Sequence, residues 1–107
     1  MPIELTEENL KTEVMDSKKP VIIKAFANWC GPCIQMTPIF AEVEKLLHDK
    51  AKFLELNVDQ ARDLAIQYGI TSIPTLIFIK NGEIIGKETG YLDKDSLKSK
   101  IEAFINN

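Results

Sequence analysis

Three apolar runs and two apolar stripes organise this chain. Residues 21–27 (Val-Ile-Ile-Lys-Ala-Phe-Ala) are apolar at all but one position, the pattern of a strand covered on both faces. Residues 53–58 read as a second buried strand, and residues 74–79 as a third with a proline at its start. Between the first two runs, Met36, Ile39, Phe40, Val43, Leu46 and Leu47 recur at three- and four-residue spacing. That stripe predicts an amphipathic helix ending near Asp49 and Lys50. Leu97, Ile101, Phe104 and Ile105 form a second stripe, the inner face of a helix over residues 93–105.

Shorter signals fill the gaps. Thr6, followed by Glu7 and Glu8, opens a helical stretch reaching about Met15: Thr6 can cap, and the glutamates favour the helix N-terminus. Lys18-Lys19-Pro20 is a break. Residues 60–68 predict a short helix stopped by Gly69. Lys80-Asn81-Gly82-Glu83 is a hairpin turn of the Asn-Gly type, which returns residues 84–88 alongside the third run until Gly90 breaks them. Residues 3–5 can add a short first strand. Strands that alternate with helices and then close in a hairpin predict an α/β fold, a mixed sheet with helices on both faces.

At 107 residues the chain is long enough for one compact domain, residues 1–107, and too short for two. The net charge of -3 is mild, and Arg62 is the only arginine. A surface that reads phosphates needs more basic charge, so nucleic acid is not an expected partner. No apolar stretch is long enough to cross a bilayer, so no membrane is expected either. The start, Met1-Pro2-Ile3-Glu4-Leu5, lacks the charged and apolar regions of a secretory signal. A monomer in the reducing cytoplasm is therefore expected, although a mature exported protein would carry the same features.

Composition leaves the chemistry to two residues. Cys30 and Cys33 are the only cysteines, in the segment Trp29-Cys30-Gly31-Pro32-Cys33. In a reducing compartment such a pair is redox-active or metal-binding more often than a structural staple. It stands between a buried strand and a long helix, and residues three apart in a first helical turn share a face within disulfide range. Gly31 is expected to relieve crowding at the turn, and Pro32 suits a position whose N–H has no helical partner. Cys30 faces the unpaired N–H groups and positive end of the helix, which stabilise a thiolate and depress its pKa. It is the expected attacking sulfur. Cys33, one turn in and more buried, is the expected resolving sulfur. No cofactor is needed. Metal binding would require further ligands, and His48, the single histidine, lies at the far end of the same helix. An inert pair fits poorly with the junction.

The residues Ala27-Asn28-Trp29-Cys30-Gly31-Pro32-Cys33, Pro38, Asn57-Val58-Asp59, Tyr68-Gly69-Ile70, Ile73-Pro74-Thr75, Lys80-Asn81-Gly82 and Gly90 recur in one family. With them the chain resembles the thioredoxins over essentially its whole length. The Gly-Pro between the cysteines looks like the reductant branch of that family. The resemblance implies a sheet of four to five strands flanked by four helices. It implies a cis Ile73–Pro74 peptide lying against the disulfide, and an apolar docking surface made by Trp29, Gly31, Pro32, Ile73, Pro74 and Gly90. The backbone of Ile73 would pair with an extended substrate segment. Disulfide-containing proteins are the implied substrates, and a thioredoxin reductase is the implied electron donor. Plainer readings stand beside these: Trp29 as packing, Gly90 as a turn or bulge, and Pro38 as a kink without a chemical role.

Two positions depart from that pattern. Thioredoxins usually carry a buried aspartate six residues before the first cysteine, where this chain has Lys24. A lysine frequent on the neighbouring strand is replaced in the same register by Glu55. A buried Lys24–Glu55 ion pair accounts for the exchange structurally, since lysine is almost never buried alone. Two functional readings remain open. Glu55 would shuttle the Cys33 proton, or charged Lys24 would stabilise the Cys33 thiolate and make the disulfide more oxidising. For the whole chain the resemblance implies a protein-disulfide reductase, and two other readings stand beside it: an atypical thioredoxin-like oxidant or isomerase whose poise is set by Lys24, and a docking module that needs no redox step. Ile34, where many thioredoxins are basic, makes the rim more apolar or is simply a partly covered helix residue.

Overall fold

The apolar runs pair into one five-stranded sheet in a computed structural model that describes residues 1–107. Its strands are β1 (Ile3–Glu4), β2 (Val21–Phe26), β3 (Lys52–Asn57), β4 (Thr75–Lys80) and β5 (Glu83–Thr89). They lie in the order β1-β3-β2-β4-β5. β3 runs parallel to both β1 and β2, whereas β4 is antiparallel to β2 and β5 to β4. Parallel neighbours need a long crossover, and α1 (Gly31–Leu47) supplies it between β2 and β3. A π-helical turn (Lys11–Met15), α2 (Arg62–Gln67) and α3 (Lys94–Ile105) complete the four helical elements. None of them is long and apolar enough to cross a membrane.

Side chains of a strand alternate between faces, and the two faces of this sheet carry separate cores. Ile22, Phe53 and Leu76 pack with Met36, Phe40 and Val43 of α1 and with Leu97, Ile101 and Phe104 of α3. Ile23, Leu54, Leu56 and Ile77 pack on the opposite side with Val14, Leu64 and Tyr68. β2 is the central strand, with Val21 through Ala25 all buried. Its position explains why residues 21–27 show no alternation. Lys24 shares the parity of Ile22 and therefore points to the α1 side.

The structure corrects several boundaries. The stretch from Thr6 does not become an α-helix. Thr6 N donates to Asn9 Oδ1 at 2.8 Å and Asn9 N to Thr6 Oγ1 at 3.3 Å, so Thr6 does cap. These two bonds hold residues 7–9 in turns, and regular structure starts only with the π-helical turn, closed by Asp16 N to Lys11 O. Asn57 acts similarly: its Oδ1 accepts from Asp59 N and Gln60 N, which delays α2 to Arg62. Leu46 is exposed, off the buried stripe of α1. The punctuation signals hold better. Gly69 follows α2 with φ +68°, and Asn81 and Gly82 take φ of 53° and 79° in the hairpin turn, as a type I′ turn requires.

Asp93 caps α3 by accepting from Ser96 N at 2.8 Å. That backbone hydrogen bond, and then the one from the Ser96 side chain, hold its carboxyl below the ordinary carboxylate range. A depressed folded pKa gives stability that is present above the unfolded value and lost as pH falls through the folded one. Asp93→Ala is thus expected to lower the Tm at neutral pH. The difference from wild type should narrow as the two proteins are melted at successively more acidic pH below 4.

Candidate active site

β2 delivers the chain to the surface, and α1 begins there. Cys30 is the N-cap residue of α1, with extended φ/ψ of -90° and 112°, and its Sγ accepts from the N–H of Cys33 at 3.3 Å. Pro32 occupies the first turn, where its missing N–H has no helical partner to lose. Cys30 and Cys33 are joined as a disulfide with their Cα atoms 5.2 Å apart. Cys30 keeps 7% of its surface exposed and Cys33 none. The sulfur at the rim is therefore Cys30, and Cys33 lies beneath it among Ala27, Phe26, Val58 and Ile73.

A second segment closes over the pair. The Ile73–Pro74 peptide is cis, and the Ile73 carbonyl oxygen lies 3.9 Å from Cys30 Sγ. Pro74 is buried and Ile73 half-buried, so Pro74 shapes this surface from below. The N–H of Gly90 donates to the Pro74 carbonyl at 2.8 Å, which ties the end of β5 to the same loop. Gly90 has φ +105°, a conformation side chains disfavour, although a Cβ there would meet nothing within 4 Å. A Cβ on Gly31 would also meet nothing within 4 Å beyond its chain neighbours and its own helical turn. Its open face lies beside the disulfide.

Trp29 is 72% exposed, which excludes a core-packing role, and its Nε1 donates to Asp59 Oδ2 at 2.8 Å. Ile34 is 57% exposed and Tyr91, next to Gly90, is 46% exposed. Both add apolar surface to the rim.

The expected ion pair forms between β2 and β3. Lys24 and Glu55 are register partners on β2 and β3, and Lys24 Nζ lies 2.8 Å from Glu55 Oε2. The lysine side chain is fully buried, whereas the glutamate keeps 21% exposure, so the pair is buried at one end only. Lys24 Nζ also donates to Thr37 Oγ1 at 3.1 Å, and Thr37 Oγ1 donates to the carbonyl oxygen of Cys33 at 3.1 Å. Thr37 is a site residue the sequence reading missed. Its signal was present in the spacing: it stands four residues after Cys33 on the same helix. No group of three or more His, Cys, Asp and Glu side chains is gathered to hold a metal ion.

A family model for thioredoxin matches residues 1–103. The chain belongs to the thioredoxin family. A thioredoxin of Chlorobaculum thiosulfatiphilum is 39% identical over 102 residues, covering 95% of this chain and 94% of that protein. A thioredoxin of Rickettsia felis is 42% identical over 93 residues, 87% of this chain and 89% of its own length. One from Synechocystis is 35% identical over 102 residues, 95% of each. This member of the family is accordingly a thiol–disulfide oxidoreductase with protein-disulfide reductase activity.

The two glycines of this thioredoxin site should separate on substitution. Gly31→Ala meets open space in a helical turn and is expected to leave urea stability unchanged or raise it by up to about 1 kcal/mol. Gly90→Ala forces a side chain into φ +105° and is expected to lower stability by about 1–2 kcal/mol.

Proposed function

We propose that Cys30 attacks a disulfide in a protein substrate and that Cys33 resolves the resulting mixed disulfide. The observation that carries this assignment is the asymmetry of the pair: Cys30 at the rim with the Cys33 N–H directed at its Sγ, and Cys33 fully buried. A thiolate on Cys30 would receive that N–H and the positive end of α1. The Cys30 thiolate attacks one substrate sulfur, and the other leaves as a thiolate and takes a proton from water. The Cys33 thiolate then attacks Cys30 Sγ, restores the Cys30–Cys33 disulfide and releases the second substrate thiol. Two electrons have passed to the substrate, and an external reductant must return them.

Trp29, Gly31, Pro32, Ile73, Pro74 and Gly90 make the docking surface in this reading. The half-buried backbone of Ile73 would pair with an extended substrate segment, beside the exposed indole of Trp29 and the open face of Gly31. A thioredoxin reductase is the proposed electron donor. We place the chain in the cytoplasm as a single-domain monomer that maintains thiol balance.

Insulin disulfide reduction, followed with and without NADPH and a thioredoxin reductase, tests the cycle. Wild type should turn over in the coupled assay. Cys30→Ser should abolish turnover, and Cys33→Ser should accumulate a covalent adduct on Cys30 visible by mass spectrometry. An adduct carried on Cys33 in Cys30→Ser would reverse the roles. Activity only as an oxidant of reduced substrates would instead establish an oxidase or isomerase. Undiminished partner binding by a variant lacking both cysteines would favour a docking module.

A further inference from the structure

Lys24 is among the largest fully buried side chains of the protein, and it sits in the central strand behind the reactive pair. A buried ammonium needs partners, and this one has three kinds. Glu55 supplies a carboxylate, Thr37 a hydroxyl, and the rings of Phe26 and Phe40 lie 5.2 Å and 5.4 Å from Nζ. We propose that Lys24 and Thr37 are positioning residues that place a positive charge behind Cys33 and favour its thiolate in the resolving step. The proposal rests on the roles assigned above to Cys30 and Cys33.

The two ends of the ion pair differ in exposure, 0% for Lys24 against 21% for Glu55. Water reaches the carboxylate and screens it, while the ammonium acts through protein of low dielectric. The buried end of the pair, bonded to Thr37 of α1, is its positive end.

Thr37 has one hydroxyl proton, and it goes to the Cys33 carbonyl; the oxygen then faces Lys24. The ammonium is thus two hydrogen bonds from the Cys33 backbone. The next residue, Pro38, has no N–H and leaves the Ile34 carbonyl without its helical donor, whereas the Cys33 carbonyl receives the Thr37 hydroxyl.

Cys30 has the helix N-terminus and the Cys33 N–H, but Cys33 is one turn in and fully buried, which disfavours its thiolate. The neighbours of Cys33 in its apolar cluster, Ala27, Phe26, Val58 and Ile73, carry no titratable group. Leu76 on β4 and Leu97 and Ile101 on α3, packed on the same side of the sheet, carry none either. The charged or titratable groups about the site are Cys30, Lys24 on β2, Glu55 on β3, Tyr91 at the rim and Asp59, whose carboxylate receives the Trp29 N–H. Lys24 is the one cation among them.

In the resolving step Cys33 releases its proton to solvent, and its thiolate forms a bond to Cys30 Sγ. The bond from Cys30 to the substrate sulfur breaks, and that sulfur leaves with the electron pair and is protonated by water. Lys24 transfers nothing; it is a fixed charge. By stabilising a thiolate of the dithiol form it also makes the disulfide more oxidising.

The test is a pH titration of both reduced cysteines by NMR of labelled Cβ carbons in wild type, Lys24→Met, Thr37→Val and Thr37→Ser. The Cys33 midpoint is expected to rise by about one pH unit or more in Lys24→Met, a tenfold loss of thiolate at a given pH. It should rise less in Thr37→Val and stay with wild type in Thr37→Ser, while the Cys30 midpoint moves less in every variant. Equilibration of the Lys24→Met protein with a thiol buffer should shift toward the disulfide. An unmoved or lowered Cys33 midpoint in folded Lys24→Met would overturn the proposal. If that variant does not fold, the Thr37→Val and Thr37→Ser pair decides, since position 37 is on the exposed side of α1. Normal trapping by Cys33→Ser with unmoved midpoints sinks this inference alone; failure of trapping sinks the assigned roles first.

Discussion

Burial of β2 on both faces is the constraint on which the molecule depends. A strand in that position needs a ladder on each edge and a core on each side, and β3, β4 and the two apolar clusters supply them. Because β3 is parallel to β2, the chain must cross the sheet between them, and α1 makes that crossing. The exit of β2 and the start of α1 are therefore forced into one short turn. That turn holds Cys30 as the cap residue, and the unpaired N–H of Cys33 is turned toward its sulfur. The reactive position follows from the topology of the sheet.

The same burial makes Lys24 consequential. A polar residue in a central strand must bring its partners with it, and here they come from three elements: Glu55 from β3, Thr37 from α1 and the ring of Phe26 from β2 itself. A buried ion pair is weak grounds for extra stability, since desolvation offsets much of the Coulomb attraction. Its direction and its connections are more informative. The pair opens to water at Glu55 and is linked through the Thr37 hydroxyl to the backbone carbonyl of Cys33.

The outer surface is arranged differently from the interior. Trp29 and Ile34 project from either side of the disulfide, Gly31 leaves open space beside it, and the Ile73 carbonyl approaches Cys30 from a separate loop. Pro74 lies buried under that loop, and the Gly90 N–H fastens β5 to its carbonyl.

Much of this was determined by the sequence alone. The runs at 21–27, 53–58 and 74–79 placed the strands because double burial admits little else, and the Cys30–Cys33 spacing at a strand–helix junction specified disulfide exchange. Asn81-Gly82 and Gly69 marked turns because few other residues accept positive φ. The misread segments share one cause: Asn9 and Asn57 spend their side chains on nearby backbone, a local choice that apolar periodicity does not record. Tertiary structure alone decided the rest. The exposure of Trp29, the open space at Gly31, the burial of Pro74 and the link from Lys24 through Thr37 to Cys33 each depend on how separate elements meet. A sequence states which groups are available; the surroundings of a buried charge or an exposed ring are set by residues distant along the chain.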